Sequence, residues 1–390
     1  MSASELQTGF QSLGQPVARQ AVLQASARDR LQRTLLVHGP RGAGKGAFVD
    51  DLLALLLCSD PDAARRPCNA CRACRDARAR IHPDLVVASP ERWREERSTG
   101  ESIVGVARRW LLESSGTPVA GERRVLLVEG VDRANEQTQN ALLKALEEPS
   151  ARQMFVLVAD DVGRVLPTIV SRSQPLRIGS VTRSDLVDWL VDRERLPADQ
   201  ADALARIADG LAGRAIGFAR QPELVEWRRR TQAELLSLLG RGTADRFASV
   251  RDLLEQAPRP GPDAEVEPPT DDAGPRTAGT AQRAAAVAVV EAWHDLARDL
   301  MVTAAGRPRM APSAHLLPEL EEVGRAMPPS SLLAFEGLLE RIRDGLLQNA
   351  APRLALEIAM LSWPRVDLPV PAPAADDRAA ARPAQRPRRS

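Results

Sequence analysis

The 390-residue chain contains no tyrosine, and aromatic residues make up only 3% of it. Modules that bind single strands by stacking bases on rings are therefore not expected. An excess of charge of one sign is also lacking. Lysine and arginine number 53 and aspartate and glutamate 52, a formal net charge of +1, so no whole-molecule field announces a polyanionic partner. Long apolar runs are missing: Leu52–Cys58 is the longest candidate, far short of the ~20 residues that span a bilayer. The N-terminus carries no basic-then-apolar signal pattern. A soluble, cytoplasmic protein without a membrane partner is expected. Lysine is nearly absent as well. Lys45 and Lys144 are the only two, and coding bias towards arginine accounts for that, although both fall inside motifs. The four cysteines all lie between positions 58 and 74. Disulfide frameworks are spread through small secreted chains, whereas clustering in a large chain reads as a metal site.

The apolar content of 44% is ordinary for a globular protein, and the length suits two or three domains. From Thr34 to about Ile178 strand and helix patterns alternate. Leu35–His38, Arg124–Val128, Met154–Ala159 and Pro175–Ile178 are strand-like runs. A helix runs from the Gly-rich loop after His38 to Leu57, and another covers Gln139–Glu148, stopped by Pro149. This alternation predicts a parallel sheet covered on both faces, an α/β domain over 1–179. After Gly179 the period becomes 3.6. Thr182-Arg-Ser-Asp185 is a capping-box-like start, opening a small helical segment (180–221). Residues 222–365 form a separate all-helical domain, with long helices at Ala281–Ala305 and Ser330–Asn349. Ala257–Thr280 is rich in Pro, Gly and acidic residues and reads as a disordered surface insert. Residues 366–390, ending in Arg378, Arg382, Arg386, Arg388 and Arg389, read as a flexible basic tail. No internal repeats are present.

Gly39-Pro-Arg-Gly42-Ala-Gly44-Lys45-Gly46 follows a strand and opens a helix, the context of a phosphate-cradling P-loop. The glycines let backbone N–H groups converge on phosphate, the helix N-terminus adds positive potential, and Lys45 sits where it would reach the β/γ-phosphates. The next residue should be Ser or Thr to ligate Mg²⁺, and it is Gly46. Gly39, Gly42, Gly44 and Lys45 are thus candidate ATP-binding residues of a degenerate loop; occupancy is left open and hydrolysis is not expected. Arg124-Val-Leu-Leu-Val-Glu129-Gly130 occupies the place of an acid-terminated strand. Glu129 is an imperfect Mg²⁺ partner, and Gly130 stands where a second carboxylate would polarise water.

Cys58, Cys68, Cys71 and Cys74 are spaced C-x9-C-x2-C-x2-C. Four thiolates with no open position suit tetrahedral, structural Zn²⁺, and His82 is then superfluous. Arg65, Arg66, Arg72 and Arg75 are expected to favour the thiolate forms. Ser171-Arg172-Ser173 follows the third strand. Taken alone, Arg172 reads as a solvated surface charge.

Several motifs together resemble the bacterial clamp-loader subunits, an AAA+ family. Asn140-Ala-Leu-Leu-Lys-Ala-Leu-Glu-Glu-Pro149 is similar to that family's NALLK-x-LEEP signature. Phe155–Ser173 is similar to its stretch from sensor 1 to the Ser-Arg-Cys motif. The P-loop, the cysteines and His82-Pro-Asp84 come in the expected order. The resemblance covers roughly residues 10–220. It implies an AAA+-type P-loop domain with a zinc-binding insert, then a small helical lid and an all-α collar. In that family gamma/tau subunits carry working ATP sites, and delta-prime is a stator with a disabled one. The departures here favour the delta-prime type: Gly46, Gly130, Ala159 at the sensor 1 position, and Gly213 at the sensor 2 position, where adjacent Arg214 leaves the alignment open. Ser173 replaces the motif's cysteine, but Arg172 remains. By resemblance Arg172 is the arginine finger that enters a neighbour's ATP site, while Lys144, Glu147 and Glu148 keep the role of a solvated helix face. The implied partners are gamma/tau and delta subunits of the DNA polymerase III holoenzyme, the sliding clamp and, through the complex, primed DNA. The rival readings are an active gamma/tau-like ATPase and a stand-alone zinc DNA-binding protein.

Overall fold

The computed structural model describes residues 9–150, 152–257, 278–313, 316–347 and 350–365, with the side chains of 278–280 and 309 left aside. The chain divides into two compact units, and the boundary falls between Val225 and Glu226.

The first unit is built on five parallel strands: β1 (Thr34–His38), β2 (Leu85–Ala88), β3 (Arg124–Val128), β4 (Gln153–Ala159) and β5 (Gln174–Arg177). Their order is β2-β3-β4-β1-β5. Four of them are the expected apolar runs. β2, a four-residue run at the sheet edge of which only Ala88 is fully buried, was not expected. In register, Leu36 pairs with Leu157, and Leu127 with Val156. Side chains alternate between faces. Leu35, Val37, Val125, Leu127 and Val156 pack one core with Val22, Phe48 and Leu52. Leu36, Leu126, Phe155 and Leu157 pack the other with Trp93, Trp110 and Leu142. Truncating one of these, Leu36→Ala for instance, would cost about 2–5 kcal/mol.

Helices α1 (Pro16–Ala27), α2 (Lys45–Leu57), α3 (Arg72–Arg78), α4 (Pro90–Glu95), α5 (Ile103–Glu113), α6 (Glu136–Glu147) and the single turn α7 (Pro167–Val170) surround the sheet. Capping sets several starts: Ser89, Ser102 and Asn135 accept from the N–H groups of Arg92, Gly105 and Thr138. Asn135 therefore starts α6 three residues before the expected Gln139. Helices α8 (Arg183–Arg193), α9 (Ala198–Ile207) and α10 (Ala212–Arg220) share a separate small core of Leu186, Leu190, Ala201, Ala205 and Ala215. Thr182 caps α8 through Asp185 N–H, as its sequence implied.

The second unit is all helical. It contains most of α11 (Pro222–Ser237), then α12 (Thr243–Gln256), α13 (Ala278–Ala304), α14 (Leu317–Ala326), α15 (Pro329–Leu347) and α16 (Pro352–Ser362). Trp293, Leu296 and Leu300 of α13 pack with Leu332, Phe335 and Leu339 of α15. Trp363 lies tilted against Phe335, ring centroids 4.7 Å apart, and donates to Leu235 O. Of the insert expected at Ala257–Thr280, residues 258–277 lie outside the described residues, and Ala278–Thr280 form the first turn of α13. The basic tail (366–390) also lies outside them. Among the described residues no helix is long and apolar enough to cross a membrane.

Candidate functional site

Because the sheet is parallel, β1, β3 and β4 all end on one edge, and in such sheets ligands bind beyond the carboxyl ends of the strands. The P-loop lies there. Gly39 leaves β1, Gly42 faces the backbone of Arg214, and Gly44 is the residue before α2. Lys45 is 1% exposed. Its ammonium donates to the carbonyls of Gly39 (3.0 Å) and Pro40 (3.1 Å) and pairs with Asp160 Oδ1 at 2.7 Å. Gly46 follows inside α2 and offers no ligand atom.

Beyond β3, Glu129 is not free to hold a cation. Its Oε1 accepts from Arg80 Nη1 at 2.7 Å, while Arg80 Nε reaches Asp50 Oδ1 at 3.0 Å. Gly130 has a left-handed backbone, and a Cβ there would lie 2.1 Å from Arg133 Cζ. A guanidinium thus fills the space of the expected second carboxylate. Arg133 forks onto both oxygens of Glu91 at 3.1 and 3.2 Å and lies 3.9 Å from Asp160 Oδ2. Ala159, at the end of β4, is fully buried and pairs with His38. Burial works against ionisation of Asp160, but Lys45 and Arg133 outweigh it and hold the carboxyl below its usual range.

The first turn of α10 rests on the P-loop. Arg214 N–H donates to Gly42 O at 3.1 Å. A Cβ on Gly213 would lie 3.2 Å from Gly42 O and 3.3 Å from Gly44 N, so the two backbones are already in van der Waals contact.

The four cysteine sulfurs lie within 4.8 Å of one another, with Cys58 and Cys71 at 4.0 Å. Sulfurs around tetrahedral zinc at ~2.3 Å would stand roughly 3.8 Å apart. Backbone N–H groups of Asp60, Cys71 and Cys74 point at Cys58, Cys68 and Cys71 sulfurs, at 3.5, 3.4 and 3.3 Å. Burial pushes the Cys58 and Cys74 thiols up. It opposes Cys71 too, but hydrogen bonds from Ser59 and Cys74 outweigh it and pull Cys71 down to about 6. Donor set and spacing are compatible with a structural zinc. The expected arginine support differs. Arg65 turns to Asp60, Arg66 to Glu122 and Arg72 to Asp76, because carboxylates outcompete sulfur for guanidinium. His82 is no ligand: it is buried, and its Nδ1 accepts from Asp84 N–H.

Arg172 lies at the other edge of the sheet. An open cleft is lined by Gln32, Arg33 and Thr34, by Leu146–Pro149 and by Ser171 and Arg172. Thr34 is the first residue of β1 and the P-loop follows its last. A five-residue strand at ~3.3 Å per residue separates the two by roughly 15 Å. Arg172 Nη2 pairs with Glu147 Oε1 at 2.7 Å, and Nη1 donates to Thr168 O at 3.0 Å. Buried Ser173 donates to Ile169 O at 2.7 Å and fixes the turn beside it.

Sequence reasoning missed Asp160, Arg133, Arg80 and Glu91. The signal available was Asp160-Asp161 directly after β4, charge at the end of a strand adjacent to the P-loop strand.

Residues 14–182 match the model of the family described as "DNA polymerase III, delta subunit". The Pseudomonas aeruginosa DNA polymerase III subunit delta' is 33% identical over 186 residues, 47% of this chain and 54% of that protein. Over this stretch the chain resembles delta-prime subunits. The Bacillus subtilis protein of the same name is 29% identical over 215 residues, 55% of this chain and 62% of its own length. The Escherichia coli one is 30% identical over 191 residues, 48% and 55% respectively. The chain therefore spans about half to three-fifths of the relatives it matches, and the family match ends just before α8.

Proposed function

We propose that this chain is a clamp-loader subunit of the delta-prime type, which hydrolyses no ATP itself and lends Arg172 to the ATP site of a neighbouring subunit. The observation that carries the reading is the placement of Arg172. It stands half-exposed in an open cleft, a full strand length from the chain's own P-loop. A guanidinium so placed serves no phosphate bound to this chain, and it is presented to whatever docks on that edge. There it would exchange Glu147 for the charge that develops on a transferring phosphoryl group, an effect worth ~10³–10⁵ in rate in comparable enzymes.

The chain's own P-loop supports the same reading. Gly46 has no hydroxyl for Mg²⁺, Glu129 is held by Arg80, and the position of the water-polarising acid is taken by Arg133. In this reading α8–α10 are the lid and the second unit is the collar. α16 leaves Leu354, Ile358 and Leu361 exposed on one face; this apolar stripe suits packing against the collars of gamma/tau and delta subunits. The assembly would open the sliding clamp and load it on primed DNA. A zinc ion held by Cys58, Cys68, Cys71 and Cys74 would brace the end of α2 and thereby the P-loop domain.

Two measurements on the purified chain test this reading. It is expected to co-purify with gamma/tau and delta subunits and to show no ATP turnover above a Lys45→Ala control. Lys45-dependent turnover would favour the active gamma/tau-like alternative.

A further inference from the structure

We propose that Asp160 is a built-in substitute for the nucleotide's phosphate: its carboxylate fills the phosphate position of the P-loop, with the first turn of α10 resting on the loop's backbone. This deepens the proposed function, resting on the reading of the P-loop as disabled, and it names what the site holds instead.

An ammonium has three hydrogens. At Lys45 each has a partner, in Gly39 O, Pro40 O and Asp160 Oδ1. The lysine that would reach a β- or γ-phosphate is thus spent inside the protein, behind 99% burial. Asp160 is itself held from both sides. Asp132 Oδ2 accepts from the N–H groups of Asp160 and Asp161 at 3.2 and 3.1 Å, fixing the backbone. Arg133 then lies 3.9 Å from the second carboxylate oxygen, within ion-pair reach. A carboxylate between a P-loop lysine and an arginine has the surroundings of a phosphoryl group in an active site of this class.

The cover is completed by α10. Arg214 N–H is bonded to Gly42 O, and a Cβ on Gly213 would lie 3.2 Å from Gly42 O and 3.3 Å from Gly44 N. A nucleotide would have to lift this turn, break the ion pair of buried Lys45 with Asp160, whose side chain is 30% exposed, and bring its negative charge against that carboxylate. Each step is unfavourable. Glycine suits position 213, since a Cβ there would make a tight contact with Gly42 O at 3.2 Å that the loop or helix must relieve by a few tenths of an ångström.

The chain's two lysines give a direct test on the full-length protein. Lys144 is exposed on α6 and serves as an internal control. Acylation of the native chain, read by mass spectrometry, should modify Lys144 freely and Lys45 at least ~10-fold more slowly. MgADP at about 1 mM, far above a typical nucleotide Kd, should leave the wild-type Lys45 rate unchanged. Asp160→Asn removes the charge but keeps the shape. In it Lys45 should become reactive, and MgADP should slow that reaction again. The proposal is overturned if wild-type Lys45 labels as fast as Lys144, or if MgADP protects it in the wild type. It is equally overturned if folded Asp160→Asn leaves Lys45 inert. Should that variant not fold, the wild-type arm decides by itself. None of these outcomes bears on Arg172, whose role is tested in the assembled complex.

Discussion

Arg246 of α12 donates to the carbonyl of Trp363 at 2.6 Å, closing the end of α16 from inside the helical unit. The same guanidinium reaches Met360 O and Pro364 O, and on the other side Leu238, Leu239 and Arg241 carbonyls after α11. It is 1% exposed. Burial lowers its proton affinity, but the carbonyl ends of two helices compensate with hydrogen bonds and dipole.

Arg246→Ala orphans those carbonyls, each costing about 1–3 kcal/mol when left dry. The helical unit should lose on the order of 3 kcal/mol or more, read as a lower denaturant midpoint. Arg246→Lys, with three donors in place of five, should recover only part. An unchanged midpoint in the alanine variant would show that water takes over the role.

The cysteine cluster predicts about one zinc per chain by elemental analysis. Cys68→Ser together with Cys71→Ser should abolish it and lower the melting temperature of the α/β unit. The link is structural. α3, which Cys71 caps, carries Arg78 onto buried Asp51 of the P-loop helix at 2.7 Å. Native protein free of metal would refute the assignment.

Asp84 predicts a pH dependence. Its carboxylate accepts from the N–H groups of Val119, Ala120 and Gly121 at 2.5, 2.8 and 2.7 Å. Burial opposes ionisation, but these donors outweigh it and hold the carboxyl below its usual range. The unfolded chain titrates at ~3.9. The folded value is lower, so the stabilisation is fully present above that pH and is lost as pH falls through the folded value. Asp84→Asn should cost roughly 1–3 kcal/mol at neutral pH. The gap from wild type should narrow in acid unfolding below about pH 4. A constant gap across pH would contradict the role assigned to the charge.

What the sequence revealed and what it concealed divide by distance along the chain. The P-loop, the cysteine spacing and the cap at Thr182 are local patterns, and local patterns survive in one dimension. Glu129 read as a free acid because its partner, Arg80, lies 49 residues away. Arg133 over Gly130 was hidden for a different reason: only three residues separate them, but the guanidinium is steered by Glu91, 42 residues upstream. The pairing of Lys45 with Asp160 depends on β1 being laid beside β4, which no motif states. Arg172 is the converse case. Its surroundings read as surface, and surface it is; its interest comes from the edge on which it stands.

That placement leads to the most direct test. Arg172→Ala should be introduced into this chain and the complex with gamma/tau and delta subunits purified, with assembly checked by size and subunit ratio. The account predicts intact assembly, unchanged melting temperature and ATP turnover lowered by the share of the one site that Arg172 enters, the sites it does not touch keeping theirs. Turnover equal to wild type in a fully assembled complex would contradict it.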